Sequence, residues 1–220
     1  MSARLFQCDG TAFNVPPPSA PIRHIRINSV TPQKNSKKRK HRKMTDDTSS
    51  SSAASVIRSE PQDEKGAEGM YERVLVDAEC THDGSIKHML KYKDKDWKDF
   101  ETKVLVPERL QSLSKLQYNL LKNGFRLLKS GGVLVYSTCS FCKAQNEEIV
   151  SQLLKDFSRA RLLSPPPLLH PSPSNDSQGS ADHKYRPKMG LIENTLRFDP
   201  ITSHTSGLFI ARITKDPNGN

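Results

Sequence analysis

Two stretches decide the reading: RVLVDAECTHDG at residues 73–84 and SGGVLVYSTCS at 130–140. Each begins with a run of Val and Leu too short for a helix and typical of a buried strand. Each ends in a polar turn that carries a cysteine, Cys80 in the first and Cys139 in the second. Between them, residues 107–129 read as a helix: Pro107 suits its first turn, and Leu110, Leu113, Leu116, Leu120, Leu121, Leu127 and Leu128 recur at helical spacing. Gly131-Gly132 is expected to stop that helix. A second amphipathic helix is predicted over 144–157, and two late strands over 194–198 and 207–213, joined by a turn. Strand, helix, strand, helix and two strands predict an α/β fold with a mostly parallel sheet. In such sheets ligands bind beyond the carboxyl ends of the strands, where both thiols lie.

The remaining chain is different in composition. Only 34% of the 220 residues are hydrophobic, and the mean hydropathy is −0.66. Residues 4–8 read as a short strand ending at Asp9-Gly10, so that 1–15 form one ordered stretch. Residues 16–70, rich in like charges and serine, are expected to be mostly disordered, since few apolar groups offset the entropy of ordering. The ordered part is then 71–214, broken by an exposed proline-serine loop at 164–177, with a tail at 215–220. Residues 91–104 read as a surface loop or short helix around Trp97 and Phe100.

The net charge of +10 belongs largely to one segment. Residues 1–43 hold ten Lys/Arg against one acid, Asp9, whereas the remaining residues hold 24 Lys/Arg against 23 acids. A basic face on the folded part cannot be inferred from that total. The run KNSKKRKHRK at 34–43 points to a nuclear or nucleolar address, with cytoplasmic residence the alternative, and it also suits non-specific phosphate binding. The start lacks an apolar run long enough for a signal peptide, and no stretch reaches the ~18 apolar residues of a spanning helix, so no membrane partner is expected. The four cysteines (8, 80, 139, 142) are expected as free thiols. Cys139-x-x-Cys142 alone is weak evidence for a metal or redox pair, and no metal is expected.

The motifs resemble the Sun-family RNA cytosine-C5 methyltransferases. VLVDAECTHDGSIKH is similar to the fourth motif, usually Asp-Ala-Pro-Cys-Ser followed by glycines, and GGVLVYSTCS to the sixth, Tyr-Ser-Thr-Cys-Ser. AQNEEIV resembles the Asn-Glu pair opening the next helix. RFDPITSHTSGLFIARI resembles the final strand pair, with Arg197, Pro200, His204 and Gly207 in place, and LFQCDGTAF resembles the third motif. The resemblance implies a Rossmann-like class I methyltransferase sheet and S-adenosyl-L-methionine as methyl donor. It implies that Cys139 is the nucleophile, that Cys80 helps release the product, and that Asp77 contacts cofactor and target cytosine. It further implies that Asp9 binds the adenosine part and that Lys87 contacts RNA, either tRNA or rRNA.

The chemistry explains the residue types. C5 of cytosine is a poor nucleophile towards a methyl donor. A thiolate adding at C6 makes the ring an enamine, and C5 then attacks. The site must favour the anion, because an ordinary thiol has a pKa of about 8.5.

The sequence also departs from the family. Glu79 replaces proline, Thr81 replaces serine, and His82 stands where glycine is common. The Glu79 carboxylate is expected to raise the pKa of Cys80, which suits a helper better than a nucleophile. The family's glycine-rich cofactor loop has no counterpart before Asp9, so the sheet is expected to lack its first two strands. The strand at 73–78 would then offer an exposed edge to a protein partner. The alternative function is a catalytically inactive form that binds RNA or a partner.

Overall fold

A computed structural model of the chain describes residues 10–12, 24–28, 69, 71–93, 97–169 and 185–218, with backbone alone at 24–28. The chain divides into Met1–Val30 with Glu68–Asn220 as one unit and Thr31–Ala67 as a second, and the described residues all belong to the first. The elements are β1 (His24–Asn28), β2 (Tyr71–Asp77), α1 (Ile86–Met89), α2 (Trp97–Val104), α3 (Pro107–Leu127), β3 (Leu128–Thr138), α4 (Glu147–Asp156), β4 (Ala160–Leu162), β5 (Lys188–Met189), β6 (Thr195–Phe198) and β7 (Leu208–Lys215).

They form one sheet in the order β1-β2-β3-β7-β6-β5, with β4 also paired to β7. The α/β class holds. The expectation of a mostly parallel sheet does not: β1, β2 and β3 run parallel, while every pairing of β4 to β7 is antiparallel. The link from β6 to β7 spans only 199–207, and a parallel return needs a longer crossover.

β1 corrects a further expectation. It is a five-residue strand within 16–70, and it pairs in parallel with β2 from His24↔Arg73 to Asn28↔Asp77. The β2 edge expected to be open to a partner is therefore occupied. The sequence signal was faint because HIRIN, although it alternates polar and apolar residues, is only five residues long within a polar segment. The predicted strand at 4–8, Asp9, the basic run at 34–43, most of the proline-serine loop and, Gly69 apart, the rest of 16–70 lie outside the described residues. β7 runs through Lys215, one residue into the stretch read as a tail.

The core lies between one face of the sheet and helices α3 and α4. Val74, Val76, Leu134, Tyr136, Phe209, Ala211 and Ile213 from the strands meet Leu120, Leu121, Phe125, Ile149, Val150 and Leu153 from the helices. Gly124 lets α3 approach the sheet: a Cβ there would sit 2.7 Å from a Val76 methyl and 3.1 Å from Leu134. α3 ends at Leu127, before the predicted stop, because Leu128 turns into β3 and pairs with Tyr71. Both leucines are buried, one facing the core from the helix and the next from the strand. α4 starts at Glu147, later than predicted, because the preceding Lys143–Gln145 segment forms a 3₁₀ turn. In the 91–104 region α2 forms, with Phe100 buried. No helix among the described residues is long and apolar enough to cross a membrane.

Candidate active site

The parallel pairing of β2 and β3 places Asp77 in register with Ser137, so the two strands end level. The loops that follow then bring the cysteines together. Cys80 Sγ lies 3.4 Å from Cys139 Sγ. The loop geometry is held by the backbone: the Gly84 amide donates to the Cys139 carbonyl at 2.9 Å, and the Gly207 amide donates to the Gly84 carbonyl at 2.7 Å. Both glycines are needed for this approach. A Cβ at Gly84 would meet the Cys139 carbonyl oxygen at 2.7 Å, and one at Gly207 would meet Gly84 Cα at 2.8 Å.

A buried polar network fixes the same loops from behind. The Gln145 side chain accepts from the Thr81 amide and pairs with the Thr81 hydroxyl, both at 3.1 Å. Tyr136 donates to the Gln145 carbonyl at 2.7 Å. Asn146 accepts from Thr138 Oγ1 at 2.5 Å and donates to the Ser140 carbonyl at 2.8 Å. Gln145 and Asn146 are thus committed to the cysteine loops, which is why α4 cannot begin earlier. Asp83 accepts from the Thr81 hydroxyl and, at 3.0 Å, from the Phe141 amide. Arg197 on β6 grips Glu147 through Nε at 2.6 Å and through Nη2, and its Nη1 donates to the Phe141 carbonyl at 3.0 Å.

The two thiols differ sharply in protonation. The hydrogen bond from Cys80 lowers Cys139 most; burial opposes, the His82 contact assists, and the net value falls to about 6. The same hydrogen bond, together with burial, pushes Cys80 well above its ordinary range. Cys80 is 1% exposed and Cys139 only half-buried, so the shared proton stays on the dry sulfur and the anion sits on the wetter one. The upward push on Cys80 was expected, but its source differs: it comes from the Cys139 hydrogen bond and burial rather than from Glu79.

The third member of the cluster is His82, which sequence reasoning noted only as a departure. Its Nδ1 lies 3.0 Å from Cys139 Sγ and 3.6 Å from Cys80 Sγ. Its ring stacks on His88 with centroids 4.3 Å apart. The backbone there has φ +57°, a left-handed conformation that costs a non-glycine residue roughly 1–2 kcal/mol. That explains why glycine suits this position, and the positive φ was not legible from the residue itself.

Asp77 is half-buried at the end of β2 and accepts from Ser137 Oγ at 3.3 Å. Lys87 is exposed on α1. Cys142 stands outside the sulfur cluster, and its amide donates to Ser140 Oγ at 3.0 Å. The ligand atoms of Cys80, His82 and Cys139 all lie within 4.8 Å of one another, close enough for a thiophilic cation. A cation there would consume the thiolate, so metal binding and nucleophilic attack exclude each other at this site.

The α/β sheet thus brings two thiols together at the carboxyl ends of adjacent parallel strands. The chain belongs to the 16S rRNA methyltransferase RsmB/F family, whose model matches residues 28–214. It is 31% identical over 148 residues to the tRNA (cytosine(49)-C(5))-methyltransferase of Pyrococcus abyssi, covering 67% of this chain and 43% of that protein. It is 29% identical over 145 residues to the ribosomal RNA small subunit methyltransferase F of Aeromonas salmonicida, covering 66% of this chain and 26% of that protein. A solved methyltransferase homolog protein from Pyrococcus horikoshii is 30% identical, with a TM-score of 0.44 over 66% of this chain and 39% of that one. The chain therefore spans less than half the length of these relatives.

Proposed function

We propose that this chain carries the catalytic end of an S-adenosyl-L-methionine-dependent RNA cytosine-C5 methyltransferase acting on tRNA or rRNA, with Cys139 as nucleophile. The observation that carries this reading is the thiol pair: a depressed Cys139 and a protonated Cys80, 3.4 Å apart, at the ends of parallel strands. Family membership supports the reaction class. The activities for which the two relatives are named, on tRNA and on ribosomal RNA, support the substrate class.

In the proposed reaction Cys139 Sγ adds to C6 of an extruded cytosine, and the C5=C6 electron pair becomes available at C5. S-adenosyl-L-methionine supplies the methyl group that C5 accepts. Cys80, relieved of the neighbouring anion once Cys139 is a thioether, loses its proton to solvent and takes the C5 proton. The C5=C6 bond reforms and Cys139 leaves. A carboxylate at the carboxyl edge of parallel strands fits the hydroxyl and amino groups of the methyl donor, and Asp77 is the described residue there, with Asp9 assigned by resemblance to the adenosine part. Asp77 also faces the cytosine edge in this reading, and Lys87 contacts an RNA phosphate. The basic run at 34–43 acts as a nuclear or nucleolar address, testable by the distribution of a tagged chain with and without it.

The decisive experiment uses RNA containing 5-fluorocytosine with the methyl donor present. Fluorine at C5 cannot leave as a proton, so a covalent protein–RNA adduct accumulates. The adduct is expected with the unaltered chain and absent with Cys139→Ala. With ordinary RNA, Cys80→Ala is expected to accumulate adduct, because release is impaired. An adduct that survives Cys139→Ala would sink the assignment.

A further inference from the structure

We infer that His82 is a third catalytic residue of this site, the proton acceptor that converts Cys139 into a thiolate–imidazolium pair; this rests on reading Cys139 as the nucleophile. Geometry carries the case. The ring is held on two sides, with Nδ1 3.0 Å from the reacting sulfur and the imidazole of His88 stacked at 4.3 Å and 14°. His88 is itself anchored, its Nδ1 within 2.9 Å of Ser85 Oγ. A histidine at φ +57° is not a default choice for a loop that accommodates glycine more readily. What the imidazole adds at that position is its contact with sulfur.

The step balances. The proton on Cys139 Sγ moves to His82 Nδ1, the sulfur electron pair forms the bond to C6, and the C5=C6 pair moves to C5. On expulsion, Sγ leaves as a thiolate beside the imidazolium, and the site returns to its starting charge. With Nδ1 accepting, the neutral ring carries its proton on Nε2.

The groups around His82 favour this role. Cys80 and Cys139 face it from the ends of their strands, and Asp83 follows it in the loop, engaged by Thr81 and Phe141. His88 faces it from α1. Burial first, then His82, Lys91 and Lys87, lower the pKa of His88, so the stacked partner takes up a proton less readily than a free imidazole.

The test reads Cys139 directly and needs no methyl transfer. Alkylation by iodoacetamide is followed by mass spectrometry across pH in the full chain, resolving Cys139 from Cys142. The unaltered chain should show a midpoint near 6. His82→Gly keeps the backbone conformation and removes the base, and His82→Asn tolerates the same backbone while offering only an amide. Both should move the midpoint upwards, with alkylation at the original midpoint slowed about tenfold. A residue that merely shapes the loop would change the rate equally at all pH values and leave the midpoint in place. An unmoved midpoint in both variants, or a midpoint restored by asparagine, overturns the proposal. If His82→Gly fails to fold, judged by circular dichroism and by Cys142 alkylation, His82→Asn decides alone. Failure of the methyltransferase reading would appear separately, as absence of the 5-fluorocytosine adduct with the midpoint shift intact.

Discussion

Replacing Arg197 with methionine removes one partner of a buried ion pair and leaves the other in place. Glu147 is 1% exposed, and its two oxygens face the Arg197 guanidinium, one at 2.6 Å from Nε and the other bonded to Nη2. Breaking such a pair from one side typically costs 3–5 kcal/mol, because a charge is stranded away from water. Two features soften the loss: the Leu191 amide still donates to Glu147 at 3.2 Å, and the carboxylate sits at the favourable end of α4. The expected loss is therefore near the lower bound, about 3 kcal/mol, or a Tm lower by roughly 6–12 °C for a chain of this size. Burial works to raise the Glu147 pKa, but Arg197 and the backbone amides outweigh it and hold the carboxyl below its ordinary 4.5. In the unaltered chain this pair adds stability above the ordinary carboxylate range and loses it as pH falls through the lowered folded value. In the variant burial dominates, the folded value rises above the unfolded one, and the penalty fades as pH falls. The difference between the two proteins should be largest near pH 7 and shrink towards about pH 4. Denaturant unfolding at several pH values reads it directly. Glu147→Gln in the Arg197→Met background should recover part of the loss, since it removes the stranded charge. A loss below about 1 kcal/mol, or one independent of pH, would refute the reasoning.

Three further outcomes follow from the same geometry. Cys80→Ala removes the largest cause of the low Cys139 pKa, so the pH midpoint of Cys139 alkylation should rise above about 6, while a fall would contradict the shared-proton account. Gly124→Ala sets a helix-propensity gain of up to about 1 kcal/mol against overpacking of about 1–3 kcal/mol. The 2.7 Å approach to Val76 favours the second, so urea unfolding should show a net loss near 1 kcal/mol. Gly84→Ala drives a Cβ against the Cys139 carbonyl oxygen at 2.7 Å, with backbone on both sides. It should displace the His82 loop and abolish 5-fluorocytosine adduct formation, while circular dichroism still reports a folded chain.

The central strands and the long helix were legible because their signals are local. Val74 to Val76 and Val133 to Val135 are strand runs by composition, and the leucines from Leu110 to Leu128 repeat at helical spacing. The misses were non-local. β1 exists through pairing with β2, which a polar five-residue stretch does not announce. The end of α3 is set by Leu128 pairing with Tyr71, which outweighs the glycines at 131 and 132 as the expected stop. The start of α4 is set by Gln145 and Asn146 reaching back to Thr81, Thr138 and Ser140. At the site, Cys80 and Cys139 were visible as strand-end thiols. Their 3.4 Å separation, and the place of His82 between them and His88, needed the fold.

The division of labour between the cysteines rests on their mutual hydrogen bond and on burial rather than on the neighbouring acid. Sequence reasoning had Glu79 disfavour a thiolate at Cys80. In the fold, the Glu79 carbonyl accepts from Gln117 at 2.7 Å, and the thiol is governed by its neighbouring sulfur and its lack of water. Two sulfurs 3.4 Å apart cannot both ionise cheaply, so one proton is shared, and solvation decides where it rests. The half-buried sulfur takes the charge because the Cys80 thiol donates to it and His82 assists, which together outweigh the smaller cost of burial at Cys139. The arrangement also orders the proposed reaction in time. While Cys139 is an anion, Cys80 must hold its proton and cannot act as a base. Once Cys139 is bonded to carbon, the neighbouring anion is gone and that constraint disappears. The base is thus withheld until there is a C5 proton to remove, which follows from charge coupling alone and requires no movement of the chain.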